Sequence, residues 1–147
     1  MRREYPERPV GGVGAVVWRG GRVLLIRRGR PPRVGQWSLP GGAQQLGETL
    51  LEAVVREVRE ETGLALSSVC FLTTVDLIER AADGRVRYHY TLVDFTAEAA
   101  PGEPVAGDDA AAVGWFAPDQ LDGLGLWSET RRIIAEADAV RRAADAG

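Results

Sequence analysis

The chain has 147 residues, 45% hydrophobic and 27% charged, the size and balance of one soluble globular domain that buries a core without disulfide or metal staples. Its 18 basic and 21 acidic residues are interspersed and sum to −3, which excludes binding to nucleic acid or an anionic membrane by bulk charge. Every basic residue is Arg, so phosphate-loop lysine, kinase strand lysine and Schiff-base chemistry are excluded, and the lone Cys70 and His89 exclude an internal disulfide and multi-cysteine or histidine-rich metal sites.

One domain over residues 1–147 is expected, in a reducing, cytoplasmic setting. No apolar run approaches the ~20 residues of a membrane span, and Met1 to Pro9 is charged, reading as a flexible tail rather than a signal sequence. Val13 to Trp18 and Val23 to Arg28 read as strands joined at Arg19-Gly20-Gly21-Arg22 by a tight hairpin turn. Gly29 to Gly35, with Pro31-Pro32, reads as a loop, and Gln36 to Pro40 as a short extended piece leading into a tight turn at Gly41-Gly42.

A helix is expected from about Thr49 to Thr62, stopped by Gly63. At about 100° per residue, Leu51, Val54, Val55 and Val58 form an apolar stripe, while Glu57, Glu60 and Glu61 fall within roughly 100° of one another. Val69 to Glu79 and Val86 to Ala97 read as strands around Ala82-Asp83-Gly84, and Ala111 to Phe116 as a further strand. A last helix is expected from Ser128, as N-cap, to about Ala144, with Ile133, Ile134, Ala137 and Val140 inward.

Alone, three clustered glutamates describe a solvated helix face, where like charges cost only about 0.2–0.5 kcal/mol per pair. Their context points to a hard-cation site: Leu39-Pro40-Gly41-Gly42 permits close backbone approach just upstream, and Glu48 precedes the first turn. From Gly42 to Leu64 the chain runs Gly, five residues, Glu, seven residues, then Arg-Glu-Val-Arg-Glu-Glu-Thr-Gly-Leu. This segment resembles the Nudix box at every position. Its seven required identities, at roughly 7% usage each, would agree by chance on the order of 10⁻⁸ times per start point. The flanking hairpin and Trp-x-x-Pro-Gly-Gly approach are also similar to the family.

The resemblance implies an α/β Nudix fold, a mixed β-sheet sandwiched between α-helices. It further implies Mg²⁺-dependent hydrolysis, with Mn²⁺ as a substitute, of a nucleoside diphosphate linked to another moiety. Residue by residue, it implies metal ligation by Glu57, Glu60 and Glu61, with Glu48 and Gly42 supporting. Catalytic roles fall to Glu57, Glu60 and Arg56, with Glu57 as ligand or general base and Arg56 orienting Glu48 or Glu57. Gln45 stands where many members carry a Glu, and a neutral amide is a weaker ligand. Outside the box, Trp37 is a candidate for stacking on substrate, Arg28 for holding phosphate, and Asp109, with Asp108 close behind, for a further acid. Tyr88 and Tyr90 share one strand face and His89 the other.

Arg-Pro-Pro-x-x-Gly-x-Trp before the box and Tyr-His-Tyr-x-Leu-x-Asp-Phe after it resemble the small bacterial ADP-ribose pyrophosphatase-like branch. ADP-ribose or a related nucleotide sugar is the expected small-molecule partner. Pyrophosphohydrolysis of oxidised nucleoside triphosphates is the alternative, and a nucleotide sensor that binds without hydrolysing is a third. No nucleic-acid or membrane partner is expected, and a homodimer stays open.

Overall fold

The computed structural model describes residues 2–107 and 109–146, so the expectation placed on Asp108 falls outside the described residues. Strands β1 (Val10–Arg19) and β2 (Arg22–Arg28) form the expected hairpin. Gly20 and Gly21 take φ of 56° and 80°, the left-handed pair a two-residue turn needs. The two strands pair only beside that turn, at Trp18↔Val23 and Arg19↔Arg22, and then diverge. Further strands fill both sides: β3 (Trp37–Ser38), β4 (Gly41–Ala43), β5 (Leu66–Arg80), β6 (Val86–Ala99) and β7 (Ala110–Phe116). β2 pairs antiparallel with β3 and β7, while β1 pairs antiparallel with β4 and parallel with β6, which carries β5 at the edge. The sheet is therefore mixed, as expected.

Gly41-Gly42, expected as a tight turn, belongs to a strand. β4 lies so close to β1 that a Cβ at Gly41 would sit 2.1 Å from the Val13 carbonyl oxygen. Glycine serves close approach there rather than chain reversal.

Helix α1 (Leu50–Thr62) begins with a capping box, in which the Thr49 hydroxyl accepts from the Glu52 N–H and the Glu52 carboxylate accepts from the Thr49 N–H. It ends at Gly63, φ 75°. Its buried stripe is Ala53, Val54, Val58, Glu61 and Thr62, while Leu51, expected inward, is half-exposed. That rotation carries Glu61 into the protein and leaves Glu60 outside. Against this stripe pack Val13, Ala15 and Val17 of β1, with Leu24, Leu64 and Phe95.

Helix α2 (Ser128–Ala146) covers the other face, packing Ile133, Ile134 and Ala137 on Val16, Trp18, Val23 and Leu25. The Arg131 N–H donates to the Trp127 carbonyl, so the cap lies one residue before Ser128. Val140, expected inward, is half-exposed, and Arg141 takes its place with its guanidinium 4.7 Å over the Trp18 ring. A 3₁₀ turn over Pro118–Leu124, absent from the sequence reading, adds Leu121 to this core. The two helices sandwich the sheet as expected. The N-terminal residues expected as a loose tail are engaged: the Tyr5 N–H donates to the Arg87 carbonyl at 2.7 Å, and Glu4 pairs with Arg87.

Candidate active site

A cavity of about 480 Å³ opens between the two helix faces. Glu57, Glu60 and Glu61 of α1 line it, together with Gly41, Gly42, Arg28, Arg30 and Asp109. It is also walled by Val75, Leu77, Tyr90 and Leu92 from β5 and β6 and by Trp127, Thr130 and Ile133 from the start of α2.

Arg56 organises the carboxylates. Its Nε and Nη2 donate to the two oxygens of Glu48 at 2.6 and 2.9 Å, its Nη1 to Glu57 at 2.8 Å and to Glu60 at 3.2 Å, and its Nη2 also to the Ala43 carbonyl. Arg56 thus pairs with both partners the sequence offered. The Arg56 guanidinium, followed by the Gln45 N–H, holds Glu48 down to about 2, so it stays ionised. Both Glu48 oxygens are committed in this way, and Glu48 does not line the cavity. In this arrangement it holds the Arg56 guanidinium in place.

The three glutamates that looked equivalent on a helical wheel sit in different surroundings. Glu60 is 56% exposed at its side chain and Glu57 14%, while Glu61 as a whole residue is 8% exposed. Burial raises Glu57 above the usual carboxylate range, opposed by Arg56. Burial also pushes Glu61 up to about 7; the Gly41 N–H, donating to its Oε1 at 2.6 Å, opposes this, and the charges of Glu57 and Asp109 reinforce it. A Cβ at Gly42 would lie 2.5 Å from the Glu57 carboxyl carbon, so glycine lets that carboxylate rest against the β4 backbone.

Among the described residues, no three acidic, His or Cys side chains are already gathered at metal-holding distance, and Glu57 and Glu60 both bond Arg56. The chemistry of the donor set still fits a hard divalent cation. The donors are carboxylate oxygens, and the charge of Arg28 only partly offsets the burial of Glu61 and its repulsion by Glu57 and Asp109.

Outside the box, Arg28 lines the cavity and donates to the Pro32 carbonyl at 2.6 Å, and Asp109 lines it while paired with Arg30 at 2.9 Å. Trp37 does not line the cavity. It packs edge-on against Phe116, centroids 5.0 Å apart, within the α2-side core. Trp127 stands at the cavity wall instead, a position with no spacing signal in the sequence. Tyr88 is buried, its hydroxyl 3.4 Å from Glu4, while Tyr90 reaches the cavity.

The NUDIX domain family matches residues 8–137. The chain is similar to an ADP-ribose pyrophosphatase of Methanocaldococcus jannaschii, 35% identical over 80% of this chain and 68% of that protein. It is also similar to an oxidized purine nucleoside triphosphate hydrolase of Danio rerio, 32% identical over 74% of this chain and 67% of the relative. The crystal structure of a MutT NUDIX hydrolase from Burkholderia pseudomallei superimposes with a TM-score of 0.77 at 40% identity, covering 88% of this chain and 98% of that one.

Proposed function

The chain belongs to the NUDIX family of hydrolases, and on that premise we propose that it cleaves, with Mg²⁺, the pyrophosphate of a nucleoside diphosphate linked to another moiety, ADP-ribose or a related nucleotide sugar foremost. The observation that carries this reading is the single cavity lined both by the α1 carboxylates and by the apolar and aromatic side chains of β5, β6 and the start of α2. A ligand with an anionic pyrophosphate and a flat nucleoside spans both. The similarity to the M. jannaschii ADP-ribose pyrophosphatase supports the choice of moiety. The similarity to the fish enzyme supports oxidised purine triphosphates as the second reading.

Glu57, Glu60 and Glu61 are proposed as the cation-holding side chains, with the Gly42 backbone at close approach. Divalent cations bound there would offset the repulsion between these carboxylates and a pyrophosphate and stabilise charge on the transferring phosphoryl group. Arg56 fixes the orientation of Glu57 and Glu60 through its fork, and Glu48 fixes Arg56. Glu57, raised by burial, is suited to take a proton from the attacking water. Arg28 and Arg30 stand where they can meet phosphate oxygens.

A turnover screen with Mg²⁺ over ADP-ribose, sugar nucleotides, dinucleoside polyphosphates, NADH and normal or oxidised nucleoside triphosphates tests the reading. The expected result is cleavage of ADP-ribose to AMP and ribose 5-phosphate. A kcat/KM at least tenfold higher for a triphosphate would put the second reading in its place. Nucleotide binding without turnover in both Mg²⁺ and Mn²⁺ would describe a sensor.

A further inference from the structure

Asp94 plays no part in the cation site, yet it is a carboxylate at 3% exposure in the wall of the same cavity. Its strand neighbours Val93 and Phe95 pack on the α1 side, so by strand alternation Asp94 points to the α2 side. The parallel register sets it opposite Gly14 of β1, whose own neighbours Val13 and Ala15 also pack on the α1 side. A Cβ at Gly14 would lie 2.4 Å from Asp94 Oδ1, so β1 provides the space in which this carboxylate sits.

Among the described residues no donor reaches that carboxylate. The one cation whose charge favours its ionised form, Arg132, has its guanidinium bound to Glu129 and Glu136. Burial accordingly raises Asp94 to about 6. A largely buried acceptor that opens only onto the cavity and meets no protein donor is costly to the folded protein, and the cost is recovered when a ligand brings N–H or O–H donors. Leu92, Tyr90, Leu77 and Val75 extend from it along the sheet, and Trp127 and Ile133 of the α2 side line the same chamber. Apolar and aromatic walls around one acceptor suit a flat heteroaromatic ring bearing a donor better than a sugar, whose hydroxyls would need several partners.

We propose that Asp94 receives the exocyclic amino group of the substrate's purine base, and so selects amino purines over the same nucleotides without that group. The proposal rests on the reading of this cavity as a nucleotide pyrophosphate site and adds which part of the nucleotide enters the α2-side chamber. Specificity of this kind is strong because the analogue that lacks the donor leaves a buried carboxylate unpaired. Gly14 is a positioning residue for the carboxylate.

The test compares kcat/KM for ADP-ribose against its purine-riboside counterpart, which carries H in place of the 6-amino group, and for 8-oxo-dGTP against 8-oxo-dITP, in wild type, Asp94→Leu and Gly14→Ala. In the pair that wild type hydrolyses, the amino nucleotide is expected to be preferred at least tenfold. Asp94→Leu should bring that ratio to within about twofold of unity while melting no lower than wild type, since a desolvated charge has gone. Gly14→Ala keeps the charge but crowds Oδ1 and should lower the ratio in the same direction. If Asp94→Leu does not fold, the Gly14→Ala ratio decides. A wild-type ratio near unity, or a ratio unchanged in the variants, overturns the role of Asp94 while leaving pyrophosphate hydrolysis in place. Absence of turnover on all four nucleotides overturns the substrate reading, and this role with it.

Discussion

Glu61→Gln is expected to lower kcat by at least two orders of magnitude with the fold intact. Of the three α1 glutamates, Glu61 is the one built into the protein: it lies on the buried stripe of the helix, and its Oε1 accepts from the Gly41 N–H. A Gln side chain has the same shape and can keep that hydrogen bond through its own Oε1, so the substitution removes charge and little else. Loss of one principal charge stabiliser in a desolvated site typically costs about 10²–10³ in kcat. Steady-state kinetics on the best substrate from the screen, with circular dichroism to confirm folding, reads the effect. Turnover within a few-fold of wild type would remove Glu61 from the cation site.

Arg56→Leu is expected to cost both stability and activity. The Arg56 side chain is 21% exposed, and its guanidinium bonds Glu48, Glu57, Glu60 and the Ala43 carbonyl at once. Removing it leaves the largely buried Glu57 facing Glu60 without a cation between them, a pair that already raises Glu57. Breaking a fully buried pair costs about 3–5 kcal/mol, and a partly exposed one deserves a lower figure of about 2 kcal/mol. For a domain of this length that corresponds to a fall in Tm of roughly 4–8 °C. Excess Mg²⁺ should return part of it, because cations then do for the carboxylates what Arg56 did. Thermal melts of wild type and variant check this. An unchanged Tm would mean that the network contributes only orientation.

The sequence carries the box because its residue identities are fixed by chemistry at fixed spacing, so Glu57, Glu60, Glu61, Arg56 and Gly63 were legible without coordinates. The hairpin was legible at Gly20-Gly21 and α1 at its Gly63 stop, since turn and cap residues act locally. Features that depend on long-range register were not. Gly41-Gly42 has the composition of a turn, and only pairing with β1 makes it a strand. Leu51 and Val58 are equally apolar, and which of them meets the sheet depends on how α1 is rolled against β1. Trp37 and Trp127 are the same residue type near the same cavity, and the neighbouring Phe116 decides that Trp37 packs in the core. Asp94 is one acid in an apolar strand, unremarkable until the parallel β1–β6 register sets it over Gly14.

The most direct test of the central claim, that the α1 carboxylates form a divalent-cation site, needs no substrate: thermal melts of wild type and Glu61→Gln in EDTA and in excess Mg²⁺ at fixed ionic strength, at pH 5 and pH 8. Glu61 is raised from 4.5 to about 7 in the folded protein, so the folded state binds its proton more tightly than the unfolded state does. Stability without metal therefore falls as pH rises from about 4.5 to about 7, and the whole penalty, of the order of 3 kcal/mol, is present above that range. In EDTA the two proteins should melt close together at pH 5, and Glu61→Gln should melt higher at pH 8. At pH 8, Mg²⁺ at a hundredfold excess over its Kd adds about 2.7 kcal/mol to a folded state that binds it. Wild type should then gain roughly 5–10 °C, and Glu61→Gln less than half of that. Equal Mg²⁺ shifts in the two proteins, or no shift in wild type, would contradict the account.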